Sequence, residues 1–173
     1  MQNFFPFFIQ RLSTIFALLL LLSPTAVEAT EIKRLPLENA DSIGTKISTD
    51  YDAKVEGTGA IKITTLWPTT ICLGEVPGLS VDNVKLNFLA KVKSEKFEGK
   101  AYLEMWCFVK GKKYFSRGLN SFVTGTSNWQ TLQTPFFLKK KQIAESVVLN
   151  IVLNGSGTIW VDDAILSKQE LSQ

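Results

Sequence analysis

The sequence predicts an all-β domain, a sandwich or a barrel, from three observations. Short runs that alternate apolar and polar residues recur between turns rich in Gly, Pro, Asn and charge. After residue 29 no amphipathic helix longer than two turns can be drawn. The last long run, Ser146 to Ser167, reads as two Val- and Ile-rich strands on either side of Asn154-Gly155-Ser156-Gly157, with Asp162-Asp163 near its end. Period-two alternation marks a half-buried strand, and an Asn-Gly pair supplies the positive φ angles of a tight hairpin turn.

The chain opens with Phe4 to Ile9, Arg11, an apolar core Ile15 to Leu22, and Ser23-Pro24-Thr25-Ala26-Val27-Glu28-Ala29. A basic residue, a short Leu-rich core and small residues at a Val-x-Ala end predict a secretory signal peptide over 1–29, cut after Ala29. The remaining 30–173 is expected to form one β-sandwich domain, secreted or periplasmic. The apolar core is far shorter than the roughly 20 residues a membrane span needs, so no span is expected once it is removed.

From Glu31 to Leu37 a short alternating segment broken by Pro36 has the profile of an edge strand. Asn39 to Asp52 is polar, with Ile43 and Ile47 as its anchors, and a glycine turn at Val55 to Gly59 delivers the strand Ala60 to Thr64. Leu66 to Thr69 is a turn with Trp67 at its tip, Thr70 to Leu73 is a strand, and Pro77-Gly78 starts a loop. Val84, Leu86 and Phe88 share one face of the next strand, with an irregularity expected at Leu89-Ala90 before Val92. Lys93 to Lys100 reads as a charged turn. Tyr102 to Val109 is a strand, and Gly111 closes a hairpin into Tyr114 to Leu119. A turn of two, three or four residues fits Lys110 to Lys113, and each choice changes the face that Tyr114 occupies. Asn120 to Asn128 reads as a loop, and Trp129 to Leu138 as a strand interrupted by Pro135.

The chain carries 19 basic and 16 acidic residues and no histidine. Arg11 and Glu28 cancel, so removing the leader leaves the net charge at +3. That balance is too even and too scattered to imply a nucleic-acid partner. Lys112-Lys113 and Lys139-Lys140-Lys141 read as solvated loop tips. The absence of histidine removes Ser-His-Asp and Cys-His catalysis, imidazole metal sites and a histidine pH switch together. Glu104 stands alone on its strand without a second carboxylate at glycosidase spacing, so no enzyme is expected. Cys72 and Cys107 in an oxidising compartment invite a disulfide worth on the order of 4 kcal/mol. Alternation, however, turns Cys72 outward and Cys107 inward, which argues against pairing.

Three pieces in order, Gly57-Thr58-Gly59-Ala60-Ile61-Lys62-Ile63, Trp129-Gln130-Thr131-Leu132 and Gly157-Thr158-Ile159-Trp160-Val161-Asp162-Asp163-Ala164-Ile165-Leu166, resemble the CenC-type carbohydrate-binding modules of the family 4/9 group. Those are galactose-binding-like folds, so the resemblance implies a jelly-roll β-sandwich of two antiparallel sheets that binds an oligosaccharide or polysaccharide without catalysis. In such modules acidic residues at the place of Asp162 and Asp163 often join a structural calcium site. The resemblance therefore implies calcium here, completed by Glu31, Glu38, Asp41 or carbonyls near Gly57. Calcium wants six to eight oxygens, and the alternative is that the two aspartates cap a turn or pair with Lys62 or Lys168.

A pyranose has an apolar C–H face that stacks on an aromatic ring and hydroxyls that need polar groups at its edge. In Tyr102 to Val109 a period of two separates Leu103, Met105, Cys107 and Val109 from Tyr102, Glu104, Trp106 and Phe108. The first set is a core face. The second gathers three aromatics around a carboxylate, and Arg117 just past the hairpin can reach it. Tyr102, Glu104, Trp106 and Arg117 are thus the candidate ligand-binding residues. The same residues also fit a face covered by loops, with Glu104 and Arg117 as a buried structural pair. Trp67 and Trp129 lie near turns and read as packing or as the edge of a cleft, and Trp160, in mid-strand, reads as core.

Overall fold

The computed structural model describes residues 28–37 and 45–171. The leader, apart from Glu28 and Ala29, lies outside these residues, as do Glu38, Asp41 and Ile43. Seven strands form: β1 (Thr30–Arg34), β2 (Lys46–Asp50), β3 (Ala60–Thr65), β4 (Thr69–Val81), β5 (Val84–Val109), β6 (Lys112–Phe137) and β7 (Ala144–Glu170). All pairing is antiparallel. One edge of β7 pairs with β5 along its length, while the other takes β4, β3 and β1 in turn. β2 pairs with β3, and β6 with β5.

The last three strands are far longer than the sequence suggests, and each belongs to both layers of the sandwich. β5 holds 26 residues, which would span about 85 Å if straight. It cannot be straight, because β6 meets itself. Ser116 Oγ lies 2.6 Å from Thr134 Oγ1, and the Gln133 amide donates to Ser121 Oγ at 3.0 Å. In an extended strand those pairs would lie about 60 and 40 Å apart. Each long strand therefore bends midway. One layer holds β1, β2, β3, the start of β5 and the ends of β6 and β7. The other, the hairpin layer, holds β4, the end of β5 and the starts of β6 and β7.

The bends coincide. Phe97 pairs with Gly125, Glu98 with Ser156 and Gly99 with Gly155. The β5 ladders shift register between Val92 and Ala101 on the β6 side and between Glu95 and Glu98 on the β7 side. A Cβ at Gly155 would lie 1.8 Å from the Glu98 carbonyl oxygen, and one at Gly99 would lie 2.1 Å from that of Asn154. Glycine is needed here because two backbones cross in contact.

This corrects three sequence readings. Asn154 to Gly157 is not a hairpin turn, Lys93 to Lys100 is not a charged turn, and Asn120 to Asn128 is strand rather than loop. The composition of a turn and that of a bend at a crossing are alike, since both require glycine and expose polar side chains. Pro77-Gly78 also lies inside a strand, β4, and a strand forms at Lys46–Asp50 in the stretch read as merely polar. The irregularity expected at Leu89-Ala90 is present as a register shift between Leu89 and Lys91.

Inward residues of both layers merge into one apolar cluster. Val84, Leu86, Phe88 and Val92 from the first half of β5 join Leu103, Met105 and Cys107 from the second. Leu149, Ile151, Ile159 and Val161 of β7 complete its centre. At one border Leu35, tied through its amide to the Ala164 carbonyl at 2.9 Å, lies over Gly74 of β4, where a Cβ would sit 2.9 Å from its methyl. Among the described residues no helix is long and apolar enough to cross a membrane.

Candidate functional site

The β5–β6 hairpin resolves the register that the sequence left open. Its turn is Lys110-Gly111, with φ of 51° and 70°, the two positive values of a type I′ turn. Phe115 then faces Trp106 and Tyr114 faces Cys107. The outer surface of the hairpin layer reads as rows across β6, β5, β7 and β4. Arg117, Glu104, Asn150 and Cys72 form one row; Phe122, Tyr102, Val152 and Thr70 flank it on one side. Phe115, Trp106 and Val148, then Lys113, Phe108 and Ser146, follow on the other.

Glu104 is the hub of this face. Its side chain is 5 % exposed, and its two oxygens are fully engaged. Arg117 Nε donates to Oε2 at 2.6 Å, while Trp106 Nε1 and Asn150 Nδ2 donate to Oε1 at 2.6 and 3.3 Å. A carboxylate taken from water requires such partners, and the charge-assisted bonds fix the groups that make them. The Glu104 hydrogen bond pushes the Arg117 guanidinium further up from its already high value. Arg117 itself stays 42 % exposed and lies 4.7 Å over the Phe115 ring. Phe115 is 53 % exposed and packs on Trp106 at 5.1 Å between centroids. Lys113 Nζ sits 3.7 Å from the Trp106 ring centre.

The four residues named from the sequence therefore share one face, and Glu104 and Arg117 do form the expected pair. Among the described residues no loop covers Phe115 and Arg117, which remain exposed on the face. Phe115, Phe122, Lys113 and Asn150 complete the site and were not legible beforehand. A two-residue turn chosen at Lys110-Gly111 would have revealed Phe115 and Lys113, whereas Phe122 comes opposite Tyr102 only through the register shift between Tyr102 and Glu104.

The other aromatic expectations divide. Trp67 is 53 % exposed at the β3–β4 turn, and that turn meets Tyr102 and Val152 through Pro68 and Thr69 around a shallow pocket. Trp129 is half-buried. Trp160 is buried, as expected, but it lies outside the central cluster, on the outer face of the other layer. Lys62 and Lys93 lie 4.9 and 5.0 Å from its ring centre, and its Nε1 donates to Asp50 Oδ2 at 2.9 Å. That hydrogen bond, more than the Ala53 amide, holds the Asp50 carboxyl below its usual value. The ring is already covered, so it offers no stacking platform.

Asp162 and Asp163 lie within β7, which runs on to Glu170. Asp162 Oδ2 accepts from the amides of Val55 and Glu56 at 2.7 and 3.0 Å, and Oδ1 from that of Asp163 at 2.7 Å. Asp163 pairs with Arg34, which also reaches Glu31 and Glu56 at 3.2 and 3.5 Å. Backbone amides and a guanidinium thus stand where an ion would need to be. Among the described residues no group of three or more Asp, Glu, Cys or His side chains gathers for a metal. Asp162 thus caps the turn before β3, and Asp163 pairs with Arg34 rather than with a lysine; Glu38 and Asp41, also named for an ion, lie outside the described residues. Cys72 and Cys107 are both free, on opposite faces, and burial pushes the Cys107 thiol up to about 11.

No protein-family model matches the chain, and no curated protein matches it. Solved structures do. The CBM22-1 xylan-binding domain from Paenibacillus barcinonensis Xyn10C superposes with a TM-score of 0.55 at 12% identity, over 84% of this chain and 96% of that one. The CBM22-1–GH10 modules of Clostridium thermocellum endo-1,4-beta-D-xylanase 10B, complexed with xylohexaose, give 0.59 at 9% identity over 81% of this chain and 28% of that one. A second family 16 carbohydrate-binding module gives 0.53 at 11% identity over 75% and 91%. The chain therefore has the β-sandwich fold of carbohydrate-binding modules. These neighbours are family 22 and family 16 modules and give no support to the CenC-type group in particular.

Proposed function

We propose that the chain is a non-catalytic carbohydrate-binding domain that holds an oligosaccharide or polysaccharide noncovalently on the outer face of its hairpin layer. The observation that carries this reading is an indole, Trp106, pinned by its own N–H to a buried carboxylate on an uncovered sheet. A ring fixed in that way loses little entropy when a sugar stacks on it. Trp106 and Phe115 supply apolar surface, Tyr102 lies on the far side of the Glu104 row, and Arg117 offers the guanidinium nitrogens that Glu104 does not use. Glu104 orients both neighbours and is a positioning residue. The fold shared with carbohydrate-binding modules supports the reading, and the lack of histidine and of a second carboxylate beside Glu104 supports the non-catalytic part. The leader pattern over 1–29 supports export, hence a secreted or periplasmic site of action.

The competing reading is a structural or protein-interaction sandwich of the cell envelope. It is favoured by Lys113, which covers the Trp106 ring in the free protein as it would cover a packing residue. Trp106→Ala separates the two. Truncating a stacking anchor costs roughly 2 kcal/mol of binding, about 30-fold in affinity. Electrophoresis through gels containing soluble xylans, glucans, galactans and polygalacturonate should show retardation of the wild type with one class and its loss in the variant. Unfolding of Trp106→Ala should stay cooperative. Equal mobility of both proteins in every gel would contradict the glycan reading.

A further inference from the structure

The face that carries Trp106 has more cations than its aromatic role explains. Lys113 lies 3.7 Å from the Trp106 ring centre and 5.9 Å from that of Phe108. Arg117 lies over Phe115, and Lys100 Nζ sits 4.2 Å from the Phe122 ring centre. Among the described residues neither Lys100 nor Lys113 is ion-paired. Arg117 spends only its Nε on Glu104, which leaves the outer edge of its guanidinium free of hydrogen bonds among those residues. Glu104 is thus neutralised from within. Glu75, opposite Val148 on β4, is the exposed acid at the far side, and Glu145 accepts from the Gly111 amide at the hairpin tip.

The cations are spaced along the hairpin. Lys113 is in register with Phe108 and Phe122 with Tyr102, six residues away on β5, which is about 20 Å. A neutral glycan needs rings and hydroxyl partners only. Ammonium groups that lie over aromatic faces with no carboxylate partner leave the face positive, and an anionic ligand complements that charge. The free edge of a planar guanidinium matches a carboxylate in two parallel bonds.

We propose that the ligand of this face is an acidic glycan bearing uronate carboxylates, read by Arg117, Lys113 and Lys100 while the sugar rings lie on Trp106 and Phe115. The proposal rests on the carbohydrate-binding reading above and names the class of glycan. Lys113 then acts as a movable cover: it leaves the Trp106 face for the uronate carboxylate as the ring stacks.

The test uses the purified protein in affinity gels containing polygalacturonate, the same polymer fully methyl-esterified, neutral xylan, or polyglutamate. The expected result is binding to polygalacturonate at least tenfold tighter than to its methyl ester. That preference should fall below threefold in the double variant Lys100→Gln/Lys113→Gln and disappear in 0.5 M sodium chloride, and Trp106→Ala should weaken binding to the acid polymer as well. Salt-independent binding to xylan or to the methyl ester, as tight as to the acid, would overturn the acidic preference and leave the carbohydrate reading intact. Equal retention by polyglutamate would overturn it too, by showing attraction to charge without sugar. No retention by any polysaccharide would overturn both.

Discussion

Removing the Glu104 carboxylate would strand three donors, on Arg117, Trp106 and Asn150, two of them in a largely desolvated setting. Because Arg117 can still reach water, Glu104→Ala should cost about 2–3 kcal/mol, less than breaking a fully buried pair. Glu104→Gln keeps an acceptor for Trp106 and Asn150 and should cost about 1 kcal/mol. Denaturant unfolding of the two variants checks the order, and equal losses would contradict the network. Asp50 makes a pH prediction. The Trp160 N–H holds its carboxyl below the ordinary 3.8, so its contribution to stability is present above that value and fades as pH falls through the lower folded one. The melting-temperature gap between wild type and Asp50→Asn should be full at neutral pH and close below pH 3.8; a gap that persists undiminished to about pH 2 would count against the Trp160 bond. At this scale Tyr102, Glu104 and Trp106 were legible because alternation alone fixes which side chains of one strand share a face, and Arg117 was named only for lying just past the hairpin. Phe115 was not, since its face depends on the length of a turn.

Strands β5, β6 and β7 owe their shape to a crossing that local sequence does not distinguish from a turn. Gly155 and Gly99 lie back to back, each with the other strand's backbone where a Cβ would be. Gly155→Ala should therefore force the two backbones apart and cost roughly 3 kcal/mol, the upper end of overpacking. Gly111, in the I′ turn, has φ of 70° and open space around it, so Gly111→Ala should cost only about 1 kcal/mol. Comparable losses in both would mean that Asn154 to Gly157 is a turn after all. The strands Ala60–Thr65 and Tyr102 to Val109 were readable because burial on one face writes a strict alternation. The bends were not, because a crossing selects glycine and solvated charge just as a hairpin does, and only the pairing of distant residues tells them apart. β2 was missed for a different reason: its pattern has a single apolar anchor, Ile47, and its place is set by β3.

The whole molecule is a two-layer sandwich whose layers are continuous through three bent strands, with a single core between them. That fold was legible from turn spacing and the absence of helical periodicity, whereas the role of Asp162 and Asp163 was not, because Arg34 arrives from β1 across β7 to meet them. Since amides engage Asp162 and Arg34 pairs with Asp163, the melting temperature should be the same in excess calcium and in chelator; a drop of several degrees in chelator would show a bound metal. The outer face of the hairpin layer is the part of the molecule whose construction asks for a ligand, and Trp106 stands at its centre. Intrinsic fluorescence tests this most directly, since one of the four tryptophans is the proposed platform. Titration with soluble oligosaccharides, acidic and neutral, should give a saturable change for the wild type that Trp106→Phe removes or displaces to higher concentration. A flat response to every oligosaccharide by a protein that unfolds cooperatively would contradict the carbohydrate-binding account.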